Sequence, residues 1–176
     1  MFLWSLAEAT CWPIMPDAAL VPLAAARPAD WWRLALAAAA GSLAGGGLSY
    51  LVGRAAAVEP VLTRLPLIRP AMVAAAEAWL AEEGPAGVRH QPLSGLPFKV
   101  FALLAGARRI PPAPFLGCAM AARGARFLAV SGAAALLGRL FEPILRRHPR
   151  LLLTLWSVVF ALGLRRTVAA WEKRAG

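Results

Sequence analysis

Glu8, Asp17, Lys99, Arg123 and Arg126 are the residues of this chain whose types and positions could do chemistry. Each lies in apolar sequence, where a charge needs a reason. A lone charge at bilayer depth costs about 2.5–3.5 kcal/mol on insertion scales, so such groups face a partner, a ligand or a wet cavity. Arg123 and Arg126 stand one helical turn apart and share a helix face. The planar fork of arginine suits phosphate. Glu8 and Asp17 bracket Pro13 and Pro16, and a carboxylate at membrane depth could carry a proton from one face to the other. Two readings follow. The five residues could line a polar cavity that binds an anionic headgroup, or they could form an internal ion-pair cluster that only holds loops together.

Enzyme chemistry has weaker support. The chain has 2 histidines, His90 and His148, both near segment ends. There is no GxSxG, no HExxH and no pair of membrane aspartates on neighbouring helices. The run Gly45-Gly46-Gly47 sits within an apolar span and lacks the lysine of a phosphate loop. Cys11 and Cys118 have no metal-ligand spacing and read as buried small hydrophobes. We expect no enzyme activity, no cofactor and no bound metal.

The elements that hold these charges must be membrane elements. The chain is 60% hydrophobic and only 16% charged, with a mean hydropathy of +0.61. A soluble domain of 176 residues would need more polar surface to cover its core. The net charge of +10 does not point to nucleic acid, because the arginines flank apolar runs and are not interleaved with aromatics. The first apolar run has no basic segment before it and is interrupted by Glu8 and Asp17, so it does not read as a cleavable signal peptide.

Residues 31–53 predict a membrane-spanning helix, anchored by Trp31 and Trp32. Gly41 and Gly45 form a GxxxG pair, continued by Ser42, Gly46, Tyr50 and Gly53 on a mostly small face that lets another helix approach. Residues 112–138 contain a second span, which carries Arg123 and Arg126. Residues 151–164 form a short third span, with Trp171 beyond it near the interface. Segments 3–26 and 88–107 are apolar but broken by Pro13, Pro16, Pro92 and Pro97. Broken helices in matching positions of two halves point to a transporter's substrate site. Residues 54–83 hold charges and prolines and read as an interfacial connector, with a short helix near 67–80.

The numbering repeats. Pro16, Arg27, Ser42 and Gly45 recur at Pro97, Arg108, Arg123 and Arg126, an offset of 81 (97 − 16). If the connector does not cross, one span separates the two broken segments and the repeat is inverted. The predicted fold is an all-α polytopic membrane protein with two inverted repeats. Each repeat is a re-entrant helical hairpin plus a transmembrane helix, and an extra C-terminal transmembrane helix follows. As one membrane domain over 1–176, it divides into repeat one (1–54), connector (55–87), repeat two (88–139) and C-terminal helix (149–171). Arginine counts place Arg54, the connector, Arg108, Arg109 and the C-terminus on the cytoplasmic side. Arg27, Arg33, Arg139, Arg146, Arg147 and Arg150 lie opposite.

Four stretches give the chain a family resemblance. EATCWPIMPD at 8–17 resembles the acidic, proline-containing first re-entrant loop of the DedA family. That family is the bacterial branch of the SNARE-associated Golgi, or VTT-domain, superfamily. GSLAGGGLSYLVGR at 41–54 resembles its G-x-x-x-G…Y-x-x-G-R span. LPFKVFALLAG at 96–106 resembles the second loop of the P-[YF]-K-V-F subgroup, and RGARF at 123–127 the R-G-x-R-[FY] of the next helix. The resemblance implies facing re-entrant hairpins in the bacterial inner membrane. It also implies flippase or scramblase transport of an anionic lipid, such as undecaprenyl phosphate or phospholipid, with protons as a candidate coupling ion. It carries acid roles to Glu8 and Asp17 and basic roles to Arg123 and Arg126. Many members read Arg-Phe-x-Pro-Gly-x-Arg in the second loop, where this chain has Lys99 alone, so its headgroup contacts would differ. Membrane lipids are the expected partners, nucleic acid is not, and a homo-oligomer is left open. The alternative is a non-transporting scaffold in envelope assembly.

Overall fold

The computed structural model describes residues 1–173, which are mainly helical and contain no strand among the described residues. In chain order the helices are α1 (Phe2–Glu8), α2 (Asp17–Ala26), α3 (Trp31–Ala55), α4 (Val58–Arg64) and α5 (Pro70–Glu83). A 3-10 helix follows at Gly84–His90. Then come α6 (Gln91–Ser94), α7 (Phe98–Ala107), α8 (Pro112–Leu140), α9 (Glu142–Arg147) and α10 (Pro149–Glu172).

Among the described residues, α3, α8 and α10 are long and apolar enough to cross a membrane, with 25, 29 and 24 residues. At 1.5 Å per residue each exceeds the ~30 Å hydrocarbon core. By the same measure α2 and α7, with 10 residues each, reach only about 15 Å. The third span is longer than the 151–164 predicted, because Arg165 and Arg166 continue α10 in exposed positions rather than ending it. The connector helix starts at Pro70 rather than near residue 67. Arg69 is extended, the conformation a following proline favours, and Leu67 takes a positive φ of 63° that a right-handed helix cannot hold.

The small face of α3 is its packing face: Ala38, Gly41, Ser42, Gly45, Gly46 and Gly53 are all buried. A Cβ on Gly41 would overlap the backbone carbonyl of Phe2, and one on Gly45 would meet Leu6 and Ala9, so the GxxxG pair seats α1. Further along, Gly53 lies against Leu103 and Gly106 lies against Tyr50, so α3 and α7 touch backbone to backbone. Gly138 of α8 lies against Ala25 of α2 in the same manner. These contacts let short helices sit against long ones where no side chain could fit between.

Every residue of α7 from Phe98 to Gly106 is buried. Leu62, Met72, Ala76 and Leu80 of the connector helices join it in the main core, so the connector caps α7. The end of α7 is a Schellman turn. Arg109 N–H donates to Gly106 O at 3.0 Å and Ile110 N–H to Ala105 O at 3.0 Å. Arg109 takes the left-handed position, φ 54°, where glycine is usual. Tyr50 Oη donates to Ile110 O at 2.7 Å and ties that turn to α3.

The element bounds repeat as the numbering did. The starts of α2 and α7 (17 and 98), their ends (26 and 107) and the starts of α3 and α8 (31 and 112) all differ by the same interval. The packing exchanges too: α3 lies on α7 and α8 on α2, while α1 lies on α3 and the 3-10 helix on α8. At one end of the molecule Arg139 Nη2 donates to Pro28 O at 3.3 Å, and at the other Arg54 lies beside Gly106. The two groups of arginines thus sit at opposite ends of α3 and α8. Cys11 departs from expectation. It is exposed, because it lies in the turn between α1 and α2 rather than on a packed helix face, and Cys118 is half-buried.

Candidate functional site: a charged cluster at mid-span

Arg123 lies eleven residues into α8, and Ser42 stands at the same depth in α3, about 17 Å from the start of each helix. That is close to the middle of a bilayer core. Around this point the structure gathers all five charged residues singled out by the sequence.

Arg123 is the hub. Its Nη2 donates to Glu8 Oε2 at 2.8 Å, its Nε to Ser42 Oγ at 2.6 Å and its Nη1 to Gln91 Oε1 at 2.9 Å. Phe98 and Phe127 flank the guanidinium, with ring centroids 4.6 and 5.2 Å from Cζ. The Arg123 and Glu8 side chains are only 5% and 4% exposed. A buried ion pair is tolerated when its remaining donors and acceptors are met, and here the three Arg123 nitrogens all have an acceptor. Gln91 is fixed in turn, since its Nε2 donates to Leu96 O at 2.7 Å.

Arg126 uses the neighbouring position on the same face. Its Nη2 donates to Asp17 Oδ2 at 3.0 Å, with side chains 25% and 10% exposed. Asp17 is the first residue of α2, where a helix N-terminus favours negative charge. This pair is the wetter of the two.

Lys99 behaves differently from the arginines. Its Nζ donates to Glu8 O at 2.9 Å and to Trp12 O at 2.6 Å. The ammonium therefore clasps the backbone of the turn after α1, and no carboxylate forms an ion pair with it among the described residues. The residue is 1% exposed. Ser49 Oγ donates to Ala9 O at 2.6 Å and holds the same turn from α3. A cavity of about 20 Å³ lies beside Lys99 and Glu8, walled by Pro13, Pro97, Leu67 and Thr167. It is large enough for one water molecule.

The cluster thus holds three cations and two carboxylates, drawn from α1, α2, α7 and α8. Sequence reasoning identified the charges but not their neutral partners. Gln91 sits beside Pro92 and reads as loop; a lone glutamine within an apolar run was the signal. Ser42 was placed on the small face of α3 and paired in numbering with Arg123, but its hydroxyl acts as an acceptor. His90 lies outside the cluster, on the connector side. It is 2.7 Å from Glu83 Oε1 and stacks on Trp79 with centroids 4.9 Å apart. The hydrogen bond with His90, together with the Arg89 charge, outweighs burial and holds the Glu83 carboxyl below its usual range.

No family model matches the chain, and no solved structure matches it. An uncharacterized protein of Haemophilus influenzae is 34% identical to it over 157 residues, covering 88% of this chain and 80% of the relative. At that identity and coverage, the chain belongs to the same family as this Haemophilus influenzae protein.

Proposed function

We propose that the chain is a multi-pass protein of a bacterial inner membrane that moves an anionic lipid, such as undecaprenyl phosphate or a phospholipid, between leaflets without covalent chemistry. Lys99 carries this reading. It is a buried cation whose acceptors are two carbonyls, in a cluster where Arg123 and Arg126 already balance Glu8 and Asp17, so its charge is the surplus. In a low-dielectric site that surplus favours an anion over a neutral molecule.

The supporting geometry comes from the short helices. We read α1 with α2, and the 3-10 helix with α6 and α7, as re-entrant hairpins related as inverted repeats. Each 10-residue helix reaches about halfway into the core, and their charged ends meet at mid-span. A lipid phosphate would replace Glu8 O and Trp12 O as the acceptor for Lys99. Arg123 or Arg126 would supply a forked donor once released from its carboxylate. The freed carboxylate, Glu8 or Asp17, would take up a proton, which couples the exchange to a proton gradient.

A second reading, a non-transporting scaffold, is favoured by the closure of the Arg123–Glu8 pair, whose side chains are 5% and 4% exposed. Reconstitution into liposomes with a leaflet-resolved assay of undecaprenyl phosphate and phospholipid separates the two. Transport by the wild type that is lost in Lys99→Gln, with melting of the variant retained, supports the first. A wild type that inserts fully and moves neither lipid leaves the scaffold.

A further inference from the structure

A second cavity lies away from the charged cluster and is far larger. A groove of about 680 Å³ runs between α2 and α10 and ends at the α8–α9 link. Its walls are apolar, including Val21, Ala25, Leu152 and Leu153, and its outer rim carries Arg139, Arg146 and Glu142. Trp156 closes the inner end, where its Nε1 donates to Ala18 O at 3.0 Å. Ala18 is the neighbour of Asp17, which pairs with Arg126. The groove thus leads from a basic helix link toward the wetter of the two buried ion pairs.

Chemistry restricts the occupant. A groove open to the side of a membrane-spanning helix is filled by lipid chains, since water gains nothing from apolar walls. The rim then decides which headgroup belongs to the chain inside. Arg139 donates a single long bond, 3.3 Å, to Pro28 O. Arg146 is 80% exposed and pairs with Glu142, the one carboxylate among the lining residues. Arg147, at the end of α9, and Arg150, in the first turn of α10, follow close by in the chain. The balance at this rim is positive, with donors to spare.

We propose that this groove is a lateral binding site for a long-chain lipid with an anionic headgroup, its tail between α2 and α10 and its phosphate at Arg139 and Arg146. The proposal deepens the transport reading and rests on it for the idea that the bound lipid is cargo. Occupancy is nevertheless measured at equilibrium, without transport. Trp156 reports the site. The protein is reconstituted with brominated-chain phosphatidylglycerol or brominated-chain phosphatidylcholine, and the quenching missing from Trp156→Phe is assigned to the groove. Phosphatidylglycerol should quench that component at a lower mole fraction than phosphatidylcholine. Arg139→Gln should weaken the preference about fivefold, and Arg139→Gln with Arg146→Gln should abolish it. Because Trp156→Phe could perturb packing, native mass spectrometry provides a second measure. Wild type should retain more phosphatidylglycerol than the double arginine variant, whose substitutions are at the surface. Equal quenching by the two headgroups, or equal retention by wild type and double variant, overturns the site. A protein that selects phosphatidylglycerol here yet moves no lipid keeps the groove and loses transport. One that transports with no preference here loses the groove alone.

Discussion

Removing both partners of the Arg123–Glu8 pair should cost far less than the sum of removing each alone. Arg123→Met leaves a carboxylate in a site 4% exposed, and it also strips Gln91 Oε1 and Ser42 Oγ of their donor. Glu8→Leu leaves the guanidinium with neutral acceptors only. Breaking a buried pair from one side costs about 3–5 kcal/mol. At roughly 2–4 °C per kcal/mol for a chain of this size, each single variant should melt about 6–20 °C below wild type. The double variant leaves no buried charge at this position. Its remaining loss comes from Gln91 and Ser42, at about 1–3 kcal/mol for each polar group left unsatisfied. The double-mutant cycle should then return a coupling of about 3 kcal/mol. The assay is the melting of purified protein in detergent, followed by tryptophan fluorescence, with all four proteins in one buffer. Additivity within about 0.5 kcal/mol would refute the reasoning. It would mean that the two residues do not share a low-dielectric site, and that the cluster is open to water.

Four further outcomes follow from other contacts. Arg123→Lys keeps the charge but not the planar fork; if the fork serves phosphate, lipid transport should fall more than melting, and a Lys variant with wild-type transport would show that Arg123 acts as an ion-pair partner and not as a phosphate donor. Gly53→Val should prevent α3 from touching the Leu103 backbone and cost at least 1–3 kcal/mol as an overpacked contact, roughly, read as lost monodisperse protein in detergent chromatography. Arg109→Gly should raise the melting point, since it relieves a non-glycine residue at φ 54° by about 1 kcal/mol; no change or a decrease would count against the turn described. Because the folded-state pKa of Glu83 is depressed, its contribution to stability is present above the ordinary carboxylate value of 4.5 and is lost as pH falls through the lowered pKa. Glu83→Gln should therefore flatten the acid limb of a melting-versus-pH curve, and an unchanged limb would refute that role.

The charges of the cluster were legible because a membrane penalises each one separately, so position in apolar sequence was enough to mark Glu8, Asp17, Lys99, Arg123 and Arg126. Their pairing was not legible. Arg123 and Arg126 share a face, yet they diverge to different acids because α1 ends beside one and α2 begins beside the other. Nothing in the spacing of Lys99 showed that it would bind carbonyls. That depends on the turn at residues 9–16: Pro16 has no N–H to offer Trp12 O, and the Trp12 N–H turns to Ala7 O at 2.7 Å rather than to Glu8 O. The long helices followed from hydropathy. Their ends were harder to place, because Arg165 and Arg166 can stay helical in water as readily as end a span.

The offset that relates α2 to α7 and α3 to α8 brings one equivalent pair into direct contact. Ser42 and Arg123 are 81 residues apart and hydrogen bonded at 2.6 Å. On a two-fold relation between the halves, that is the behaviour of residues close to the axis, where each meets its own counterpart. An axis forbids keeping the same charge on both copies, since two guanidiniums a few ångströms apart in a low dielectric would repel strongly. The sequence shows the resolution. The first copy carries Ser42 and Gly45 where the second carries Arg123 and Arg126, and the first copy supplies the acids, Glu8 and Asp17, that the second lacks. In this cluster α8 brings the two arginines, while α1 and α2 bring the carboxylates at the end of one short helix and the start of another. Placing an arginine at Ser42 tests this directly. It would put a second guanidinium on the first, so Ser42→Arg should prevent folding, and Ser42→Arg combined with Arg123→Ser, which removes the like-charge contact, should fold better than Ser42→Arg alone. A paired exchange that folds no better than Ser42→Arg, with Ser42→Ala folding normally, would show that repulsion from Arg123 is not what excludes arginine from position 42.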